Sequence, residues 1–259
     1  MITASRIPLL YALRWAWWYA RAHAFELPEL PAPLVSRSQS GDVEVGFLGD
    51  LMGLGDKKLS LDPSVGEFFG TCQYVCFNLE GLTESSNYPI LWRQTTRHFS
   101  ALEELRRVIA GPTLIAGLAN NHIDDVSTLD LAKNITRLNQ LGIMSIGTRL
   151  APSIELAPGL RLHAATSWLG KEKTAAHPSD LLNFGQDQHL LFLHHGHEFH
   201  QTPRAETRAL ISGLPASVVG VVGHHTHFPQ EIQIAERFVA WSLGNLAVKY
   251  GSKPVNWGL

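Results

Sequence analysis

Residues 190–197 read LLFLHHGH and residues 218–227 read VVGVVGHHTH, so two short apolar runs each lead directly into a cluster of histidines. Runs of this length that are rich in branched and aromatic residues predict buried β-strands. The polar residues begin where each predicted strand ends, which is where open α/β sheets bind their ligands. The same two stretches therefore predict both a fold class and a site.

Strand-like runs recur along the chain and alternate with helical patterns. Strands are predicted at residues 43–48, 74–77, 113–117, 143–146, 161–165, 190–193, 217–222, 230–235 and 238–243. Helices are predicted from Ser100 to Ala110, from about Thr128 to Leu141, and from a cap at Thr202-Pro203 to about Gly213. This alternation indicates an α/β layered fold.

Composition excludes several classes of protein. The chain has 259 residues, of which 45% are apolar and 17% charged, so it can bury a sizeable core and is not a disordered tail. Its 21 basic and 23 acidic residues give a net charge of −2, which excludes the electrostatics of a general nucleic-acid binder. The two cysteines, Cys72 and Cys76, exclude a disulfide scaffold and are predicted to be structural thiols.

The N-terminal region is predicted to stand apart from the rest of the chain. Residues 6–24, RIPLLYALRWAWWYARAHA, form an amphipathic helical pattern, and a Pro-rich linker follows, so residues 1–40 are separated from a domain at 41–259. The uncharged stretches are too short for a membrane span, and no convincing signal peptide is present. The helix is expected to pack on its own domain or a partner subunit; the alternative is peripheral membrane contact. The expected location is the cytoplasm or the membrane surface.

Polar clusters follow the predicted strands at equivalent ends. They are Gly49-Asp50, Asn78-Leu79-Glu80, Asn120-Asn121-His122, His194–Glu198, Gly223–His227 and Asn245. Because the carboxyl ends of strands meet at one edge of an open α/β sheet, we expect these residues to form one site. Histidine is also concentrated here, since eight of the 13 histidines fall between residues 189 and 227.

The residue types in these clusters predict metal chemistry. Carboxylates mixed with imidazoles suit zinc, manganese or iron, whereas calcium and magnesium prefer an all-oxygen set. The donors exceed what one tetrahedral ion needs, so a pair of divalent cations bridged by a carboxylate is predicted. His225 and His227, two apart, are expected to point to the same side of an extended segment. A histidine that is not a ligand is expected to protonate the leaving group.

The ordered set of motifs resembles the CapA family of poly-gamma-glutamate capsule synthesis proteins, which is related to calcineurin-like metallophosphoesterases. The motifs are Gly49-Asp50-Leu51-Met52, Asn78-Leu79-Glu80-Gly81, Ala119-Asn120-Asn121-His122 with Asp125, His194-x-Gly196-x-Glu198-Phe199, Gly223-His224-His225-x-His227-x-x-Gln230 and Ser242-Leu243-Gly244-Asn245. The resemblance covers roughly residues 42–246 and implies a four-layer α/β sandwich with a two-metal centre. Because the chain stops soon after Asn245, we expect the last strands of that sandwich to be absent, with residues 255–259 starting one.

The resemblance also implies a role for each motif residue. Asp50 and His227 would bind the first metal, Glu80 would bridge the two metals, and Asn121, His194 and His225 would bind the second. His122 would be the proton donor or a stabiliser of the transition state, oriented by Asp125 or Asp124. The residues that would contact the substrate or support the ligands are Asn78, Asn120, His195, Glu198, His224 and Asn245. His224 stays open between a pocket residue and a ligand.

The activity implied by the resemblance is that of a metal-dependent hydrolase. A water activated by two metals would attack a phosphoester or an amide, in poly-gamma-glutamate capsule or surface-polymer metabolism. The expected substrate is therefore an anionic phosphoester or polyglutamate-like molecule, and no nucleic-acid partner is expected. The alternative is a non-catalytic accessory protein of a membrane polymer synthase. The bond cleaved, the metal and the oligomeric state stay open, because a fold hosts many functions.

Overall fold

The computed structural model describes residues 42–54, 58–81, 99–167, 173–181 and 187–248. The predicted N-terminal helix, the Pro-rich linker and the strand expected at residues 255–259 lie outside the described residues. The described strands are β1 (Val45–Leu51), β2 (Tyr74–Leu79), β3 (Thr113–Gly117), β4 (Ile143–Ile146), β5 (Ser153–Ala157), β6 (Leu160–Thr166), β7 (Gln188–His194), β8 (Val218–His224), β9 (Ile232–Ile234), β10 (Phe238–Ala240) and β11 (Asn245–Ala247). The described helices are α1 (Pro63–Phe68), α2 (Phe99–Val108), α3 (Thr128–Gln140) and α4 (Ala205–Ser212), with short 3-10 turns at Ile123–Asp125 and Pro178–Leu181.

The described strands form two sheets. One sheet is parallel throughout, in the order β11-β1-β2-β3-β4. The other has the order β5-β6-β7-β8-β10-β9, in which β5 and β9 are antiparallel edge strands and the remaining neighbours are parallel. The carboxyl ends of β1, β2 and β3 therefore lie together in one sheet, and those of β7 and β8 in the other.

The two sheets pack face to face and carry helices on their outer sides. Phe192 of β7 contacts Phe47 of β1 with ring centroids 5.7 Å apart, and a Cβ on Gly117 would lie only 2.9 Å from the Phe192 ring. Helices α2 and α3 join a buried cluster that contains residues of both sheets, whereas Ile211 of α4 packs in a separate cluster on the second sheet. The predicted α/β sandwich is confirmed, with layers in the order helix, sheet, sheet, helix.

The elements that sequence patterns missed are short. Strands β5 and β11 were not predicted, and neither was α1, although Asp62 caps it by accepting a hydrogen bond from the Ser64 N–H at 2.9 Å. The predicted cap at Thr202-Pro203 is wrong, because α4 begins at Ala205 after Arg204. None of the helices in the described ranges combines the length and the apolar character needed to cross a membrane.

A pair of histidines outside the candidate site, His163 and His189, should make the stability of the fold depend on pH. His163 on β6 is only 6% exposed, and its Nε2 lies 3.0 Å from Nδ1 of His189 on β7. Burial, followed by the charges of His189 and Arg161, lowers the pKa of His163 to about 4. The unfolded chain therefore binds a proton at higher pH than the folded chain does, so stability falls as the pH drops from about 6.5 towards 4.

We expect His163 to lower the free energy of unfolding by about 2 kcal/mol as the pH falls from 7.5 to 5. Urea denaturation at the two pH values, in the presence of a chelator, would measure the difference. His163→Gln removes the titrating group and should make the loss smaller by about that amount. An equal loss in the two proteins would contradict the expectation.

Candidate metal centre

The candidate residues lie at the ends of strands from both sheets, and these ends meet at one place. Asp50 lies near the end of β1, and its register partner on the neighbouring strand is Asn245. Glu80 directly follows β2, whereas His194 and His224 are the last residues of β7 and β8. The sequence predicted convergence at one edge of one sheet; the structure instead brings together the edges of two facing sheets.

The donor atoms of this cluster fall into three overlapping groups. Within each group the atoms lie within 4.8 Å of one another, and the groups are Asp50, His194, His224; Glu80, His194, His225; and Asp50, Glu80, His227. Asp50, Glu80 and His194 each belong to two groups, so the three form a single cluster. Each of the six side chains is at most 1% exposed. Burying this many polar donors is costly unless they bind one another or a cation.

Asp50 lies at the centre of the cluster. Its Oδ1 accepts a hydrogen bond from Asn78 Nδ2 at 2.7 Å, and its Oδ2 accepts one from the His225 N–H at 3.1 Å. His224 Nδ1 is 3.1 Å from Oδ1, and His227 Nδ1 is 3.5 Å from Oδ2. Burial raises the pKa of Asp50, but the hydrogen bonds and charges of His224 and His227 outweigh it and hold the pKa well below its usual range. Asp50 is therefore an anion.

The pKa values of Glu80 and His227 are both raised, mainly by burial for Glu80 and by neighbouring carboxylates for His227. Burial and then the charge of Asp50 raise the pKa of Glu80 to about 8. Burial lowers the pKa of His227, but its hydrogen bond to Asp50 and the charges of Glu80 and Asp50 outweigh it and raise the pKa to about 9. Among the described residues, no group donates a hydrogen bond to Glu80 Oε1, and His122 Nε2 lies 3.7 Å from it. A carboxylate oxygen buried in this way is suited to bind a cation.

His194 and His225 are neutral imidazoles. Burial first, and then the charges of neighbouring histidines, lower their pKa values well below the usual range. Their ring centroids are 4.2 Å apart, and His194 Nε2 lies 3.1 Å from Oδ1 of Asn121. Neutral imidazole is the form of histidine that binds metals. Two carboxylates, several imidazoles and one amide oxygen thus fit a pair of divalent transition-metal ions.

An unusual backbone conformation in the loop after β8 positions His225 and His227. His225 and His227 have φ values of 95° and 63°, so they do not continue an extended segment as the sequence predicted. Such values cost about 1–3 kcal/mol for residues other than glycine and persist where neighbouring contacts enforce them. Here the Thr226 hydroxyl donates to Phe228 O and accepts from the Ser242 hydroxyl, both at 2.9 Å. His227 can then place Nδ1 2.9 Å from Oδ1 of Asn245.

His122 stands beside the donor cluster and has a carboxylate partner of its own. Its Nδ1 lies 2.7 Å from Oδ2 of Asp125. Burial lowers the pKa of His122, but the hydrogen bond and charge of Asp125, and then the charge of Glu80, outweigh it and raise the pKa. Asp124, which the sequence left as an alternative partner, instead accepts hydrogen bonds from the backbone N–H groups of Lys173 and Thr174.

The remaining candidate residues lie around the cluster. Asn120 donates to Asn78 Oδ1 at 3.2 Å and to Leu79 O at 2.9 Å, which holds the loop after β3 against the end of β2. Half-buried Glu198 is close enough for its charge to affect the pKa values of Glu80, His122 and His227.

Two histidines that the sequence grouped together have different surroundings. His195 belongs to none of the three donor groups among the described residues, and a Cβ on Gly223 would lie 2.4 Å from its Nε2. Burial, and then the charge of His224, lower the pKa of His195 to about 3. His224, by contrast, lies among the donors. Sequence reasoning gave Thr226 and Ser242 no role of their own, although Ser242 begins the motif that ends at Asn245.

Comparison with known proteins finds a family similarity in the C-terminal part of the chain. Residues 163–250 match the family model of the bacterial capsule synthesis protein PGA_cap, which confirms the resemblance to the CapA family. No curated protein matches the chain. The matched range runs from β6 to β11 and contains His194, His225 and His227, whereas Asp50 and Glu80 precede it.

Proposed function

We propose that this chain, a relative of the bacterial capsule synthesis proteins, is a metal-dependent hydrolase that cleaves a phosphoester or an amide in an anionic substrate. The observation that carries the proposal is the convergence of two carboxylates and four imidazoles from separate strand ends at one buried point. A cluster of this kind is costly to maintain for packing alone. The relationship comes from the family match, and the reaction type comes from the chemistry of the cluster.

Two of the overlapping donor groups, together with Asn121 beside His194, give the residues that would hold two cations. Asp50 and His227 would hold one cation, Asn121, His194 and His225 the other, and Glu80 would contact both. When bound, such a pair lowers the pKa of a water molecule and stabilises the negative charge that develops on the attacked group. Manganese, zinc and iron suit this mixture of oxygen and nitrogen donors.

His122 is the residue that would protonate the leaving group. Asp125 holds its Nδ1, so Nε2 is directed to the side of the ring that faces Glu80. The raised pKa of His122 favours the protonated form of the imidazole. A positioned acid of this kind assists departure of an alkoxide or an amine, which are poor leaving groups without a proton.

The substrate class and the cellular setting are also proposals. A polyglutamate-like polymer has amide bonds and negative charge, and it fits a relative of capsule synthesis proteins. A phosphoester fits the same pair of cations equally well. Residues 6–24 would provide peripheral membrane contact if the protein works beside a membrane polymer synthase.

Metal titration and turnover together test the proposal. Protein treated with a chelator would be titrated with Mn²⁺ or Zn²⁺ by calorimetry and then assayed with bis-p-nitrophenyl phosphate and with poly-gamma-glutamate. We expect two cations per chain and turnover of at least one substrate by the loaded protein alone. No cation binding would contradict the proposal. Two bound cations with no turnover of either substrate would instead favour the non-catalytic accessory role.

A further inference from the structure

His224 connects the two halves of the candidate metal centre. It is the register partner of His194 on the adjacent parallel strand, and its ring packs on Phe192 with centroids 4.4 Å apart. Its Nδ1 lies 3.0 Å from Nδ1 of His194 and 3.1 Å from Oδ1 of Asp50. One buried imidazole nitrogen therefore contacts a residue from each proposed cation site.

The two ring nitrogens of His194 face different partners. Nε2 lies 3.1 Å from Oδ1 of Asn121, which would hold the same cation, and Nδ1 faces His224. A neutral imidazole carries one proton, so His194 can offer the lone pair of Nε2 only when its proton is on Nδ1. In that tautomer the proton points at Nδ1 of His224.

The Nδ1 atom of His224 can serve only one of its two neighbours at a time. With a proton there, it donates to Asp50; with a lone pair there, it accepts from His194. Binding a cation through Nε2 of His194 requires the second arrangement. The packing of the His224 ring against Phe192 keeps Nδ1 at this junction.

We propose that His224 is a positioning residue, which accepts the Nδ1–H hydrogen bond of His194 and so directs the Nε2 lone pair of His194 towards the cation beside Asn121. This inference rests on the proposed two-metal centre. Partners that fix the tautomer of a metal-binding histidine typically change metal affinity by about 10- to 100-fold when they are replaced.

Two substitutions of His224 in the full chain separate the hydrogen bond from simple packing. His224→Asn keeps an oxygen acceptor near the position of Nδ1, whereas His224→Leu has similar bulk and no acceptor. In calorimetric titrations with Zn²⁺ alone, we expect His224→Leu to weaken one of the two binding events by about 10- to 100-fold. His224→Asn should lose much less affinity, and His177→Leu, outside the cluster, should bind like the unsubstituted chain.

A spectroscopic measurement gives a second test that does not require a folded leucine variant. In the unsubstituted chain labelled with ¹⁵N-histidine and loaded with Zn²⁺, the His194 ring should show the tautomer protonated on Nδ1. The opposite tautomer would overturn the inference, whichever variants fold.

The titrations also distinguish failure of this inference from failure of the proposed function. If the unsubstituted chain binds two Zn²⁺ ions and His224→Leu binds both as tightly, the positioning role is overturned and the two-metal centre stands. If His224→Asn weakens binding as much as His224→Leu, the ring acts by some means other than accepting a hydrogen bond, and the positioning role is again overturned. If the unsubstituted chain binds no Zn²⁺, both proposals fail.

Discussion

The Asp50→Asn variant should lose about 10³-fold in turnover and should no longer hold two cations tightly. Asp50 would hold one cation directly, and it also shares donor groups with Glu80 and His194, which would hold the other. Asparagine keeps the shape of the side chain and removes that charge. Turnover and Zn²⁺ titration of the variant would measure the two losses. Asp187→Asn is the matched control, because Asp187 is a half-exposed carboxylate outside the cluster.

The same substitution should also destabilise the protein without metal. His227 is 1% exposed, and its hydrogen bond to Asp50 helps to raise its pKa to about 9, so the substitution removes one of the two carboxylates that stabilise the buried, protonated ring. Breaking a buried ion pair in this way costs about 3–5 kcal/mol of unfolding free energy. Urea denaturation in the presence of a chelator would measure the loss. Full turnover in Asp50→Asn, or a loss as large in Asp187→Asn, would contradict the proposed role.

Sequence patterns predicted the interior of this fold better than its edges. The runs that became β2, β3, β7 and β8 are apolar and branched, and each is almost entirely buried between layers. Strand β5, by contrast, is a half-exposed edge strand, and β11 has only three residues. Strand β5 has little buried surface, and β11 is buried but too short to show a periodic pattern, so neither strand carries the apolar signal on which the predictions depended.

The candidate site could be predicted as a set of residues but not as a geometry. Polar residues after buried strands identified the cluster, because parallel strands present their carboxyl ends together. The sequence could not show that Asp125, and not Asp124, contacts His122, since both acids lie in one 3-10 turn. The left-handed conformations of His225 and His227 could not be predicted from the sequence either, because contacts between residues distant in sequence enforce them.

His122→Ala should lower turnover by about 10²- to 10⁴-fold for a substrate with a poor leaving group. The reason is that an alkoxide or an amine needs a proton in order to depart, and His122 is placed to supply it. p-Nitrophenolate departs without a proton, so the same variant should lose far less with a p-nitrophenyl ester. Comparing a methyl and a p-nitrophenyl phosphodiester would measure this difference. Equal losses for the two esters would contradict a role as the acid.

Asp125→Asn tests the same role through pH dependence. His122 has to be protonated in order to donate, so turnover should fall as the pH rises through its pKa. Asp125 raises that pKa through a 2.7 Å contact, and removing its charge should move the falling limb of the pH profile to lower pH. Asp124→Asn is the matched control, because Asp124 binds backbone N–H groups of another loop, and its profile should not move. If both variants shift the limb equally, or neither does, a group other than His122 sets it, and the proton donor must be sought elsewhere.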